Sequence, residues 1–187
     1  PLGTIMNEKS ISARGRPKKL NRDQVVQTAL LQYWLDGPAN VSINDICKLT
    51  GASKPSVYRE FGSDDGLKKS ALDAYHSLAI KPVIEILETD QHASDTIEAL
   101  ISFITQDRTR LGLPQGCLFA MMRAQSKQLG PSTCAKLSQM RLELLNTYSA
   151  WITRSKLRGE FADIPTDIAA LFFDAPVSYT HLRAHET

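Results

Sequence analysis

Ser42 to Gly62 reads SINDICKLTGASKPSVYREFG, and its punctuation decides the fold. Ser42 followed three residues later by Asp45 is a capping-box variant that opens a helix. Gly51 suits the left-handed position of a tight helix-to-helix turn, so that helix closes there. Ser53 caps a second helix, and Pro55 falls in its first turn, where a missing N–H has no intrahelical partner to lose. Gly62-Ser63 ends it. The result is a helix, a turn and a helix, which is either a corner of an all-α core or a short helix offered to something outside.

The composition of the second helix favours the outside partner. Val57 and Phe61 can face inward, whereas Lys54, Ser56, Tyr58 and Arg59 are polar or amphipathic and spread around an exposed side. Such a helix is a poor structural member, and its hydroxyls and cations suit phosphates and base edges. The flanking charge agrees. Arg14, Arg16, Lys18, Lys19 and Arg22 meet no acid in the stretch 14–22, although the whole chain carries a net charge of only +2. That asymmetry points to a polyanion at the N-terminal end. Gly15 and Pro17 keep the stretch extended, and its RGRP core resembles an AT-hook, a peptide that lays arginines in a narrow minor groove. Alone it reads equally as a solubilising tail; beside a helix-turn-helix it reads as a DNA arm.

The 187 residues, 42% of them hydrophobic, suffice for one large or two small domains with a real core. The pattern is all-α, with apolar residues at helical spacing and no sustained period of two. Asn21 caps a helix running to Gly37-Pro38, with Val26, Ala29, Leu30 and Tyr33 on one face. A long helix follows Ser63, and Pro82 in its middle predicts a kink or break. No window approaches the roughly 18 apolar residues of a membrane span, and PLGTIMNEKS lacks the order of a secretory signal, so the expected location is cytoplasmic. Cys47, Cys117 and Cys134 are far apart and form no metal-ligand pattern.

Residues from about Arg22 to Leu72, with ALLQYWLDG, SINDIC, TGASKPSVYREFGS and DGLKKSAL, resemble the DNA-binding domain of the tetracycline-repressor (TetR) family. The G-x-S-x-x-x-x-Y-x-x-F spacing from Gly51 to Phe61 is the most specific part. The resemblance implies a homodimeric repressor of double-stranded operator DNA, released by a small-molecule effector. It places Lys54 and Pro55 at base edges, Ser42, Ser53, Ser56 and Tyr58 at phosphates, and Tyr33 and Phe61 in the core. It makes Cys47 a buried core thiol. One departure is clear. Where the family usually has a phosphate-binding lysine this chain has Asp64, followed by Asp65, and Lys68 and Lys69 one turn later are the candidate replacements.

The C-terminal region offers no catalytic constellation. His76 and His92 read as satisfied surface or boundary residues, and Cys117 sits in apolar surroundings that leave a thiol inert. The large, soft side chains Phe103, Phe119, Met121, Met122, Tyr148 and Trp151 read mostly as core, yet they are also what lines an apolar or amphipathic effector pocket between bundled helices. Arg123 and Arg154 are the candidate counter-charges to an acidic effector. In TDIAALFFDA, Ile168, Leu171 and Phe172 share an apolar face, and the resemblance assigns the final helices to dimerisation.

The expected organisation is a basic arm (1–20), a helix-turn-helix domain (21–66), a ligand-binding and dimerising bundle (67–176) and a tail (177–187). The tail, VSYTHLRAHET, resembles a translated sequencing adapter, and PLGTI precedes the first methionine. The function expected is a DNA-binding regulator and not an enzyme, with no cofactor or metal. Its rivals are a regulator of the same build without a small-molecule effector and, from a different class, a helical-bundle enzyme.

Overall fold

The structure, a computed structural model, describes residues 20–107, 110 and 112–183, with side chains as far as residue 174. Arg14, Arg16, Lys18 and Lys19, and the end of the adapter-like tail, lie outside the described residues. The helices are α1 (Arg22–Asp36), α2 (Ile43–Thr50), α3 (Lys54–Phe61), α4 (Asp64–Tyr75), α5 (Lys81–Glu88), α6 (Ala93–Thr105), α7 (Leu118–Ala124), α8 (Pro131–Leu157) and α9 (Thr166–Arg183). No strand occurs among the described residues.

The first helices begin where their caps dictate. Asn21 Oδ1 accepts from the Gln24 amide at 3.2 Å. Ser42 and Asp45 form the reciprocal box, Asp45 N donating to Ser42 Oγ at 3.3 Å and Ser42 N to Asp45 Oδ2 at 3.1 Å. Ser53 Oγ accepts from Ser56 N at 3.3 Å, and Ser63 Oγ from Gly66 N at 3.0 Å. Each such cap stabilises its helix by about 1 kcal/mol. Gly51 takes the left-handed conformation, φ 69°, that stops α2 and turns the chain into α3.

Burial then orders the helices. Val25, Ala29, Leu30, Tyr33 and Trp34 of α1 pack with Ile43 and Ile46 of α2, Val57 of α3, and Leu67, Ala71, Leu72 and Tyr75 of α4. The same core continues without a break into Phe119 and Met122 of α7 and into Met140, Leu144, Tyr148, Trp151 and Ile152 of α8. The connection is α4, which packs against α1 and α3 as well as against α8. Trp34 meets Tyr75 edge to face with ring centroids 5.0 Å apart.

The break expected at Pro82 takes a definite form. His76–Ile80 makes a π-helical turn between α4 and α5, in which Lys81 N bonds the His76 carbonyl, and Pro82 falls in the first turn of α5. A proline interrupts the ladder because it has no N–H and its ring pushes on the carbonyl four residues back. The wider turn absorbs both effects, so the axis is not severed.

Two glycines fix how α4 meets its neighbours. A Cβ on Gly66 would overlap the Phe61 carbonyl oxygen, and one on Gly130 would stand 2.6 Å from Asp65 Oδ1. The first turn of α4 therefore touches the last turn of α3 on one side and the start of α8 on the other. There Asp65 accepts from Ser132 N at 2.8 Å, from Thr133 N at 3.0 Å and from the Thr133 hydroxyl. Burial opposes ionisation of Asp65, but these hydrogen bonds outweigh it and hold the carboxyl below its ordinary pKa.

Candidate nucleic-acid interface

Helix α3 is anchored almost entirely by Val57, which is fully buried, with Phe61 and Ser56 half-buried. Lys54, Pro55, Tyr58, Arg59 and Glu60 are exposed. The outward face is preorganised. Lys54 Nζ lies 5.8 Å from the centre of the Tyr58 ring, the Ser53 and Ser56 hydroxyls are 2.8 Å apart, and Arg59 Nη2 donates to Ser56 Oγ at 3.4 Å. At its end α3 is held by Arg22, which pairs with Glu60 at 3.1 Å and covers the Phe61 ring at 5.5 Å.

Beside α3 lies a polar recess of about 360 Å³, walled by residues 39–44 together with Lys54, Tyr58, Asp64 and Lys68. It brings Ser42, Lys54 and Tyr58 together. The N-terminus of α2 also opens into it, and the Ile43 and Asn44 amides at such a position have no carbonyl partner within the helix. Amides and a lysine around one recess suit a phosphate, although the Ser42 hydroxyl donates to Asp45 Oδ2 at 2.6 Å and the Asp64 carboxylate shares the wall. Asn40 and Asn44 also line the recess, and sequence reasoning misses them. The Asn40 side chain donates to the Asp36 carbonyl at 2.8 Å.

Lys68 departs from its expected role. The residue is only 8% exposed; its ammonium pairs with Asp64 one turn earlier and lies 5.9 Å from the centre of the Tyr33 ring. Its charge is offset by that of Asp64 at the wall of the recess. Tyr33, fully buried, has its pKa driven upward by desolvation and then by the Asp64 charge. Burial also pushes the Cys47 thiol up, against a smaller pull from Lys54.

In the bundle, five of the six pocket candidates (Phe119, Met121, Met122, Tyr148 and Trp151) are buried, and Phe103 is half-buried. None of the six lines the apolar cavity of about 350 Å³ between α8, residues 161–164 and α9, whose walls include Ile152, Phe161, Ile164, Ile168, Phe172 and Phe173, with Lys156. Trp151 stands behind that cavity, edge-on to Phe161 and Phe173 at 5.2 Å each. Of the dimer candidates, Ile168 and Phe172 border the cavity, and Ile168, Leu171 and Phe172 are 58%, 50% and 71% exposed.

Arg123 and Arg154 are not free counter-charges. Arg123 pairs with Asp174 at 3.3 Å, a carboxylate shared with Arg141 at 3.2 Å, and Arg154 donates to the Leu87 carbonyl at 2.7 Å. Burial, and then the Asp174 charge, push the Tyr148 hydroxyl up to about 12. Cys117 caps α7 and accepts from the Tyr75 hydroxyl at 3.2 Å. His76 bonds Glu143 at 2.8 Å. Among the described residues no group of three or more His, Cys, Asp or Glu side chains is placed to hold a metal ion, and no helix is long and apolar enough to cross a membrane.

No family model matches the chain. Among solved structures, a TetR-family transcriptional regulator from Agrobacterium tumefaciens superposes with a TM-score of 0.77 over 88% of this chain and 86% of that one, at 19% identity. The chain has the TetR fold. The TetR-family regulator CifR, solved as a cysteine mutant on a 26-bp double-strand operator DNA, matches with a TM-score of 0.72 over 91% of this chain and 89% of that one, at 22% identity. In sequence, the chain is 29% identical over 106 residues to the HTH-type transcriptional repressor ComR of Escherichia coli (strain K12). That match takes in 56% of this chain and 50% of the repressor, so the chain spans about half the length of this relative. Within that fold α2, the Gly51 turn and α3 form a helix, a turn and a helix, and α4 joins them to α8.

Proposed function

We propose that the chain is a DNA-binding transcription regulator that holds duplex operator DNA as half of a homodimer, with α3 in the major groove and residues 14–19 in a flanking minor groove. The observation that carries this reading is the inside-out composition of α3: one fully buried residue, Val57, and a row of cations, hydroxyls and a phenol facing away from the core. Lys54 and Pro55 meet base edges; Ser42, Ser53, Ser56 and Tyr58, with the first amides of α2, hold phosphates. Lys68 acts indirectly, by neutralising Asp64 beside the backbone. The operator is a pseudo-palindrome, since a two-fold protein reads two-fold DNA.

Release follows a population shift. A small apolar or amphipathic effector in the cavity between α8 and α9 favours one position of α8, and through α4 one spacing of the two α3 helices. The cavity volume is within the range of small-molecule sites, roughly 300 to 1,000 Å³. The close packing of five of the six expected pocket residues supports a second reading, a regulator of the same build governed by a protein partner.

Selection of bound sequences from random duplex DNA tests binding and symmetry together. On the selected operator, Lys54→Ala should relax preference at one base pair by roughly 1 to 3 kcal/mol, while Tyr58→Phe should weaken binding to all duplexes alike. Gel-shift titrations unmoved by both changes would remove the assignment. Shortening the chain to begin after Lys19 should make the slope of log affinity against log salt shallower by about 0.9 for each phosphate that the arm neutralises. An unchanged slope would mean that the basic stretch is only a tail.

A further inference from the structure

We infer that Asp65 is a positioning residue for DNA recognition, the joint through which the first turn of α8 sets the orientation of α3. This rests on the DNA-binding reading proposed above. The two adjacent acids at the start of α4 do different work. Asp64 pairs with Lys68 of its own helix, whereas Asp65 turns away and bonds Ser132 and Thr133, 67 and 68 residues later in the chain.

Helix α8 needs that carboxylate. Its own N-cap is Gly130, which offers no side-chain acceptor, and Pro131 opens the helix. Asp65 supplies the missing cap from another helix: two amides donate to it, and the Thr133 hydroxyl bonds both its carboxylate and its backbone carbonyl. Thr133 is fully buried. Charge-assisted bonds of this kind are among the stronger and more directional ones a side chain makes.

The joint is also sterically closed on both sides. Toward the bundle, Gly130 leaves no space for even a methyl group beside Asp65; toward the recognition helix, Gly66 leaves none beside the Phe61 carbonyl. Motion of the first turn of α8 therefore has little slack before it moves the last turn of α3. The polar seam continues down the same helix pair, with Asp73 on Lys136 at 2.8 Å and His76 on Glu143 at 2.8 Å. Helix α8 is about 40 Å long at 1.5 Å per residue, and its far half carries Ile152 and Lys156 of the apolar cavity. The joint and the cavity are thus near opposite ends of one lever.

Two variants test this in the full chain, Asp65→Ala and Thr133→Val, the second keeping volume and lying outside the DNA-facing surface. Two readouts apply: amide hydrogen exchange of α3 in the free protein, and the ratio of operator to random-duplex affinity at fixed salt, with folding checked by thermal melting. In both variants α3 exchange should rise and the affinity ratio fall, each by about tenfold, within the usual range of coupling between sites. A residue that merely caps α8 would lower the melting temperature and free the first turn of α8, leaving α3 exchange and the ratio at their original values; that result overturns the inference. Failure of the unaltered chain to bind any duplex would overturn the DNA-binding reading instead, and the exchange measurement would still decide whether Asp65 restrains α3.

Discussion

Gly66→Ala is expected to destabilise the chain by about 3 kcal/mol or more and to abolish the operator binding proposed above, although helix propensity alone predicts a gain of roughly 1 kcal/mol for alanine over glycine inside a helix. The sign reverses because of what the new methyl meets. Gly66 lies in the first turn of α4, and a Cβ there overlaps the backbone carbonyl of Phe61. A flexible side chain would swing aside; a carbonyl in the last turn of α3 moves only with the helix. Gly62, at φ 76°, and the Ser63 cap fix the same junction, so the strain is not relieved locally. Overpacking of cores costs about 1 to 3 kcal/mol even where side chains can adjust, against a total stability of roughly 5 to 15 kcal/mol. Urea melts followed by circular dichroism, with a DNA titration alongside, measure both effects. A variant more stable than the parent would show that α3 and α4 are not in this close contact.

Trp151→Ala should cost about 3 to 5 kcal/mol, the range for deleting a large buried aromatic. Trp151 is fully buried and makes edge contacts with Phe161 and Phe173, while Phe173 also stacks on Tyr148 at 5.8 Å. Removing the indole therefore takes the back wall from the apolar cavity and loosens α9 at once. Trp151→Phe separates packing from polarity. The indole N–H has no hydrogen-bond partner among the described residues, and a buried donor without one is itself a cost. The phenylalanine variant should be destabilised much less than the alanine variant, with chemical denaturation of the two side by side as the check. Equal destabilisation would mean that only the full indole, and not an aromatic ring as such, holds α9.

The legible parts of this molecule are those whose causes lie within four residues of each other. The Asn21, Ser42 and Ser53 caps, the Gly51 turn and the exposed face of α3 are local, and the sequence states them directly. Pro82 announces an interruption, but whether it becomes a break or a π turn depends on what α4 and α5 each pack against. The pairing of Lys68 with Asp64 is legible at i,i+4 spacing, but a family pattern that puts a phosphate-binding lysine nearby points the reading elsewhere. By contrast, Arg123 and Arg141 meeting Asp174, or Asp65 meeting Thr133, join residues 33 to 68 positions apart. No periodicity encodes such pairs. The cavity escapes the sequence for a related reason: the same soft, aromatic side chains fill a core or line a hole, and only the crossing of α8 with α9 decides which.

Helix α4 belongs equally to the two halves it joins, and this limits how the halves can be recombined. A cut after residue 66, where the sequence places the end of the helix-turn-helix domain, passes through the first turn of α4 and parts Asp65 from Leu67, Ala71, Leu72 and Tyr75, all of them buried. A three-helix head grafted from a protein of the same fold must therefore bring its whole α4. It must also find, on the receiving bundle, a glycine, a small hydroxyl and two free amides where 130–133 stand here. By these contacts the unit that can be transplanted is not a continuous segment: it is the head together with the patch at 130–133.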